Sequence, residues 1–220
     1  GFELFCHGET AINNASSPIK PEQVETCDEN DIDFIELWIG SDGLTVLTNQ
    51  ANELASCLTL ADLYALVGPE SQGIGTWDGA EDLARALGSG TDLPDSDLVL
   101  VGPGEESGTY DTFVEVVLDP LAERRIDSGD LDADADGVGA ARADYSSTAD
   151  DNALVSIVAG APGGLGWVGL AYAEDAAGVR AVPIAEEPDG PCVAPTDETV
   201  RDGTYPISRS LYVYVSAGAA

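Results

Sequence analysis

Short apolar runs rich in β-branched residues alternate along this chain with segments of helical spacing. Phe34-Ile-Glu-Leu-Trp-Ile39 and Leu44-Thr-Val-Leu-Thr48 predict two strands, broken by Gly40-Ser-Asp-Gly43. Leu58–Val67 predicts a short amphipathic helix with Thr59 as its cap. Leu98–Val101 predicts a strand, and Phe113, Val114, Val117 and Leu118 mark a helix running to about Asp119. Asp150–Val158 predicts a helix capped by Ser147 or Thr148. Gly163–Tyr172 and Arg180–Ile184 predict strands, and Pro206–Val215 a strongly β final one. Residues 1–31 read as a loop and a helix: Asn13–Pro18 is a turn and capping cluster, and Pro21–Cys27 carries the helix. Strands alternating with helices predict an α/β fold, without internal repeats.

Composition narrows the setting. A chain of 220 residues with 44% hydrophobic content can bury a core as one large domain or two small lobes. No apolar run approaches the ~20 residues of a membrane span. Gly1-Phe-Glu-Leu-Phe-Cys6 has neither the basic start nor the long apolar centre of a signal peptide, so any targeting segment is expected to have been removed or to lie upstream. The charge is extreme: 41 acidic residues against 8 basic ones, net −33. That surface argues against nucleic acid and anionic membranes as partners. The acids are interleaved with apolar residues in regular patterns, which argues against disorder. Adaptation to a salty medium is the expectation, since at ~1 M salt the Debye length falls to roughly 3 Å; an acidic surface without that adaptation is the alternative.

The four cysteines permit three pairings. Cys6–Cys27 with Cys57–Cys192 is the expected one, which implies an oxidising compartment; four buried free thiols are the alternative. With a single histidine, His7, and no CxxC, a Cys/His zinc site lacks its ligands. Asp132-Ala-Asp134-Ala-Asp136-Gly137 copies the first half of a calcium loop, but the twelfth position is Ala143 rather than Glu. The stretch 127–139 therefore reads as a solvated acidic excursion, and neither metal nor cofactor is expected.

The candidate chemistry lies in Leu98-Val-Leu-Val-Gly-Pro-Gly-Glu-Glu106-Ser107-Gly108-Thr109-Tyr-Asp-Thr-Phe113. A strand turning through glycines onto a helix start points free N–H groups at whatever lies there. Ser107 and Thr109 add hydroxyls, and Gly108 allows close approach to the backbone. An ordinary turn with Ser107 as N-cap is the plain alternative. The Lys and the glycine spacing of a nucleoside-triphosphate loop are absent.

Five ordered segments, spread over nearly the whole chain, resemble the PstS family of phosphate-binding proteins. They are Phe5-Cys-His-Gly-Glu-Thr-Ala-Ile-Asn-Asn-Ala-Ser16-Ser17-Pro-Ile-Lys-Pro-Glu22, Asp42-Gly-Leu-Thr-Val46, Gly102–Phe113, Arg142–Asn152 and Tyr205–Val215. The resemblance implies a two-lobed periplasmic-binding-protein-like α/β fold (type II) that holds inorganic phosphate in its cleft without chemistry. It implies a lobe one of 1–48 plus 207–220 and a lobe two of 49–206, with crossings at Thr45–Asn49 and Leu211–Val215. Ser107, Gly108 and Thr109 match the lobe-two anion cradle, and Ser16 and Ser17 a lobe-one contact at a helix start. Family arginines are replaced by Pro103 and Ser17, which leaves Arg142 as the cation to face the anion, unless it is paired with nearby carboxylates. An acid beside the lobe-one serine is also missing, so Glu106 is the expected acceptor that tells phosphate from sulfate, with Glu105 and Asp144 behind it. By the same resemblance lobe one is incomplete, with a strand and a phosphate-contacting loop expected upstream and a helical segment downstream. The implied partners are the membrane permease subunits of an ABC importer, and the implied location is extracytoplasmic, in a periplasm or at a cell surface, free or lipid-anchored.

A phosphate-ester hydrolase using Ser107 or Thr109 is the reading from a different class. It lacks an activated nucleophile: the one histidine is far away in sequence and no other base but carboxylates is at hand. A binding protein for a related oxyanion such as sulfate is the third reading.

Overall fold

The computed structural model describes residues 1–53, 56–135, 137–173 and 176–219. Helix α1 (Phe2–Cys6), strand β1 (Ile12–Ala15) and helix α2 (Pro21–Glu29) precede the longest element, strand β2 (Phe34–Asn49). Next come β3 (Leu58–Thr59), α3 (Leu60–Val67), α4 (Glu81–Ala86) and β4 (Val99–Gly102). A helical rod follows in three parts: α5 (Gly108–Phe113), a π turn (Val114–Leu118) and α6 (Asp119–Ser128). The remaining elements are β5 (Ser146–Ser147), α7 (Asp151–Gly160), β6 (Gly164–Gly169), α8 (Leu170–Ala173), β7 (Val179–Ala181), β8 (Ile184–Ala185), α9 (Asp197–Arg201) and β9 (Ser208–Ser216). This is the α/β alternation read from the sequence.

One sheet runs β1-β9-β2-β6-β4-β5, with β7 also on β2; β3 and β8 form a separate parallel pair. Strand β2 belongs to both halves of this sheet. Its residues 34–43 pair antiparallel with β9, and residues 44–49 pair antiparallel with β6 and β7. The chain passes between the halves at Gly43–Leu44 and returns at Ile207–Ser208, where the Leu44 amide donates to the Ile207 carbonyl at 3.0 Å. Both passages precede the expected ones. Leu211–Val215 instead lies within the ladder opposite Gly40–Ile35.

Gly40-Ser-Asp-Gly43 does not break the strand as expected. A bulge between Trp38 and Gly40 absorbs the irregularity, and β2 continues. Gly43 is there for packing: a Cβ on it would lie 2.5 Å from a Val200 methyl of α9. The helix after the cradle runs on to Ser128 rather than Asp119, and it widens into the π turn before Pro120, which lacks one helical donor. The strand expected at Gly163–Tyr172 ends at Gly169 and becomes α8, and Arg180–Ile184 divides into β7 and β8. Helix α7 is capped by Asp150, whose carboxylate accepts from Asn152 N (2.9 Å) and Ala153 N (3.2 Å); Ser147 is already in β5. Thr59 caps α3 as expected, in a reciprocal box with Asp62.

The main core surrounds Trp77, Trp167, Tyr64, Phe113 and Tyr205 on one face of the sheet. Leu47, Val101, Leu154, Val158 and Val168 pack under α7 on the other. A third cluster, Phe5, Cys6, Cys27 and Tyr214, joins α1 and α2 to β9. Both expected disulfides are present, with Cα–Cα separations of 4.2 Å for Cys6–Cys27 and 6.0 Å for Cys57–Cys192.

Candidate functional site

Strand directions aim the candidate segments at the crossing from opposite halves of the sheet. β4 and β6 are parallel, and β6 is antiparallel to β2, so β4 runs toward the crossing. β1 and β2 are both antiparallel to β9, so β1 runs toward the crossing from the opposite side. The carboxyl ends of β1 and β4 are therefore directed toward the crossing from opposite halves of the sheet, with β9, β2 and β6 between them. Ser16 and Ser17 follow the first, and Ser107, Gly108 and Thr109 the second. At β4 the sheet also reverses its winding: α5 leaves on the main-core face, while α7, which leads from β5 to β6, covers the other. The carboxyl edge at such a reversal is where open α/β sheets receive ligands.

The cradle is built on Trp167. A Cβ on Gly102 would lie 2.3 Å from that indole, so only glycine admits the ring beneath the turn. Phe113 stacks on Trp167 at 4.5 Å, and Tyr145 lies against it at 5.7 Å. The Tyr145 hydroxyl donates to the Pro103 carbonyl at 2.7 Å; burial, with the charges of Glu105 and Glu106 nearby, pushes its pKa up to about 12, so it keeps that proton. Ser107 is the N-cap: its Oγ accepts from Thr109 N at 3.2 Å. That bond occupies the Thr109 amide. Gly108 is exposed, with nothing within 4 Å of a Cβ built on it, so the space before the helix start is open. Glu106 folds back over the turn, its carboxylate 2.3 Å from where a Gly104 Cβ would stand.

Ser16 and Ser17 are half-buried in the bend after β1, and not at a helix start as expected. Helix α2 begins at Pro21, and Gln23 reaches back to the Lys20 amide at 2.9 Å, so the cap lies three residues beyond Ser17. Tyr214 fixes the bend by accepting from Ile19 N (2.8 Å) and donating to Glu36 (2.7 Å).

Arg142 is buried and fully engaged. Its Nε and Nη2 donate to Asp144 at 2.5 and 2.7 Å, and Nη2 also reaches the Ile74 carbonyl at 2.7 Å. Its loop is held to the cradle helix by Ala141 N donating to the Tyr110 hydroxyl at 3.2 Å. The Arg142 hydrogen bond, helped by the Gly73 amide, holds the Asp144 carboxyl down to about 2. An ordinary carboxyl titrates near 4, so this pair stabilises the fold fully above about pH 4 and loses that contribution as pH falls toward 2. Asp144→Asn should cost about 1–2 kcal/mol at neutral pH, less than a wholly buried pair because Asp144 is partly in water. Denaturant unfolding of both proteins should show the difference closing by about pH 2; a gap that persists there would mean the contact is not electrostatic.

Asp136 of the acidic excursion lies outside the described residues. Among the described residues, no three His, Cys, Asp or Glu side chains are grouped to hold a metal ion. His7 is exposed just after α1, with Nδ1 2.8 Å from the Glu3 carbonyl, beside the β9 half of the sheet and not the half that carries the cradle. An open groove of about 620 Å³ lies at the crossing, between Gly40–Gly43, the start of α8 and helix α9, with Trp38 and Tyr172 on its rim. Sequence reasoning missed it, because its walls come from three distant segments.

A family profile described as a PBP superfamily domain matches residues 1–220. The chain belongs to the PBP superfamily. Among individual PBP relatives, it is 36% identical to protein SphX of Synechococcus elongatus, over 100% of this chain and 58% of that one. It is 29% identical to the phosphate-binding protein PstS of Staphylococcus saprophyticus, over 98% of this chain and 58% of that one. The chain thus spans well under two thirds of the curated relatives it matches. A solved structure of a possible phosphate-binding protein from Planctomyces limnophilus is 31% identical, with a TM-score of 0.79 over 98% of this chain and 67% of that one. PstS from Borrelia burgdorferi, 18% identical, matches with a TM-score of 0.69 over 98% of this chain and 71% of that one, and shows the same fold.

Proposed function

We propose that this chain is the anion-capturing part of an extracytoplasmic binding protein that delivers inorganic phosphate to the permease of an ABC importer. The observation that carries the reading is that β1 and β4, each followed by a serine-bearing turn, run toward one crossing from opposite halves of the sheet. Residues 1–43 with 208–220 would form one lobe and residues 44–207 the other, with phosphate between Ser16 and Ser17 on one side and Ser107, Gly108 and Thr109 on the other. The open space before Gly108 supports this, and so do the phosphate-binding names of similar proteins. Two disulfides suit a compartment outside the cytoplasm.

Binding without turnover fits the chemistry at hand. Ser107 Oγ accepts from an amide, and no histidine is near enough in the fold to act as its base. Calorimetric titration with phosphate and with sulfate, in molar KCl, tests the reading. Phosphate should bind and sulfate should compete poorly, and a chromogenic phosphate ester should not be turned over. Hydrolysis of that ester would replace the reading with an enzyme; equal affinity for the two anions would replace it with a general oxyanion receptor. Glu106 remains the proposed acceptor for the proton that dibasic phosphate keeps and sulfate lacks, so Glu106→Gln should let sulfate compete.

A further inference from the structure

An oxyanion entering a chain of net charge −33 is helped by a cation, and four of the eight basic residues, Arg85, Arg125, Arg142 and Arg180, are already committed. Arg142 is closed off by Asp144 and backbone carbonyls. Arg125 gives Nε and Nη2 to Glu70 at 2.9 and 2.8 Å, and Arg85 pairs with Glu81 on α4. Arg209 differs from these. Its Nη2 stands 3.5 Å from Asp42 and its Nη1 3.7 Å from Glu115, both beyond the roughly 2.7–2.9 Å of a good charge-assisted bond. Its Nε is buried and has no partner among the described residues. The guanidinium therefore keeps donors in reserve while its side chain is only 19% exposed.

Its position is as telling as its bonds. Arg209 lies opposite Asp42 in the β2–β9 ladder, one pair from Gly43 and Ser208, where the chain crosses between the halves of the sheet. Along β2 that level falls between Trp38, paired through Tyr212 with the end of β1, and Val46, paired with Trp167 beneath the cradle. Glu115, the second carboxylate, belongs to the cradle helix itself. It stands seven residues past Gly108, about two turns along and on nearly the same face, and helical side chains lean toward the N-terminus. The guanidinium thus lies beside the helix whose N-terminus forms the cradle, at the level of β2 where the chain crosses between the halves of the sheet.

We propose that Arg209 is the cation that meets the oxyanion, exchanging its long contact with Glu115 for the bound phosphate. The inference rests on the phosphate reading above and assigns the charge that the cradle itself lacks. It is tested by calorimetric titration of inorganic phosphate into the protein and into Arg209→Gln, Arg209→Lys and Glu115→Gln, in molar KCl. Arg209→Gln should weaken binding by roughly 10- to 100-fold, the loss of one charge-assisted bond, and Arg209→Lys should restore part of it. Glu115→Gln should tighten binding by roughly 2- to 5-fold, because it frees the guanidinium and removes a nearby negative charge. Arg209→Gln binding as tightly as the parent overturns the inference and leaves the phosphate reading standing. A parent protein that takes up no phosphate overturns both. Should Arg209→Gln fail to fold by near-ultraviolet circular dichroism, Glu115→Gln decides, and an unchanged or weakened affinity there overturns the assignment.

Discussion

Replacing Trp167 by alanine is expected to destabilise the protein by roughly 3–5 kcal/mol, the usual range for removing a buried Trp or Phe. The indole is 1% exposed and touches the Gly102 backbone, Phe113 and Tyr145. It therefore supports the cradle turn from below and the first turns of its helix from the side. The loss should exceed simple area burial, because the rigid turn above it cannot collapse into the space vacated. Trp167→Phe should be much milder, about 1–2 kcal/mol: the indole Nε1 is buried without a partner among the described residues, so phenylalanine gives up volume but no hydrogen bond seen there. Denaturant unfolding in molar KCl measures both. Equal losses for the two variants would mean that the ring matters for something other than filling this space. Gly102→Ala drives a methyl into the same indole from above and should also destabilise, which separates ring support from chain flexibility.

The cradle was legible because its signal is local. A β-branched run, a Gly-Pro-Gly turn and a Ser-Gly-Thr helix start are contiguous, and the structure keeps them contiguous from Val99 to Phe113. Thr59 and both cysteine pairs were legible for similar reasons of spacing and number. What failed depended on distant packing. Gly43 reads as a strand breaker until Val200, far along the chain, is seen pressed against it. The apolar run at Phe34–Ile39 reads as a strand and is one, but its pattern does not show that Ile35 and Trp38 are each 55% exposed. Ser147 and Thr148 lost the cap of α7 to Asp150 because β5 draws the chain into pairing with β4 first. Arg142 was singled out from sequence, but its two-residue spacing to Asp144 closes a bidentate pair that seals it. Arg209 had no local signal, since its contact with Asp42 spans 167 residues.

Raising the salt concentration from about 0.1 M toward molar KCl is expected to stabilise this protein and, on the phosphate reading proposed above, to speed phosphate uptake, the reverse of an ordinary anion receptor. Screening normally weakens the attraction between a receptor and its anion. Here the long-range field has the opposite sign: 41 acidic residues against 8 basic ones repel both the ligand and one another. Over that range the Debye length shrinks from ~10 Å to ~3 Å, which removes repulsion between surface carboxylates but leaves buried contacts nearly untouched. The favourable pairs that salt would weaken are few and partly shielded; Arg142 and Arg125 are 5% and 13% exposed. Repulsion lost should therefore outweigh attraction lost. A gain of about 3 kcal/mol would raise the melting temperature of a chain this size by roughly 6–12 °C. Working near pH 4, close to the sequence pI of 4.1, supplies the control, since many carboxyls are then protonated and the salt increment should shrink. Thermal melts across the KCl series, with stopped-flow phosphate binding on the same samples, give both readouts. A melting temperature or an on-rate that falls toward molar salt at neutral pH would show that specific pairs, and not the overall charge, govern this fold and its site.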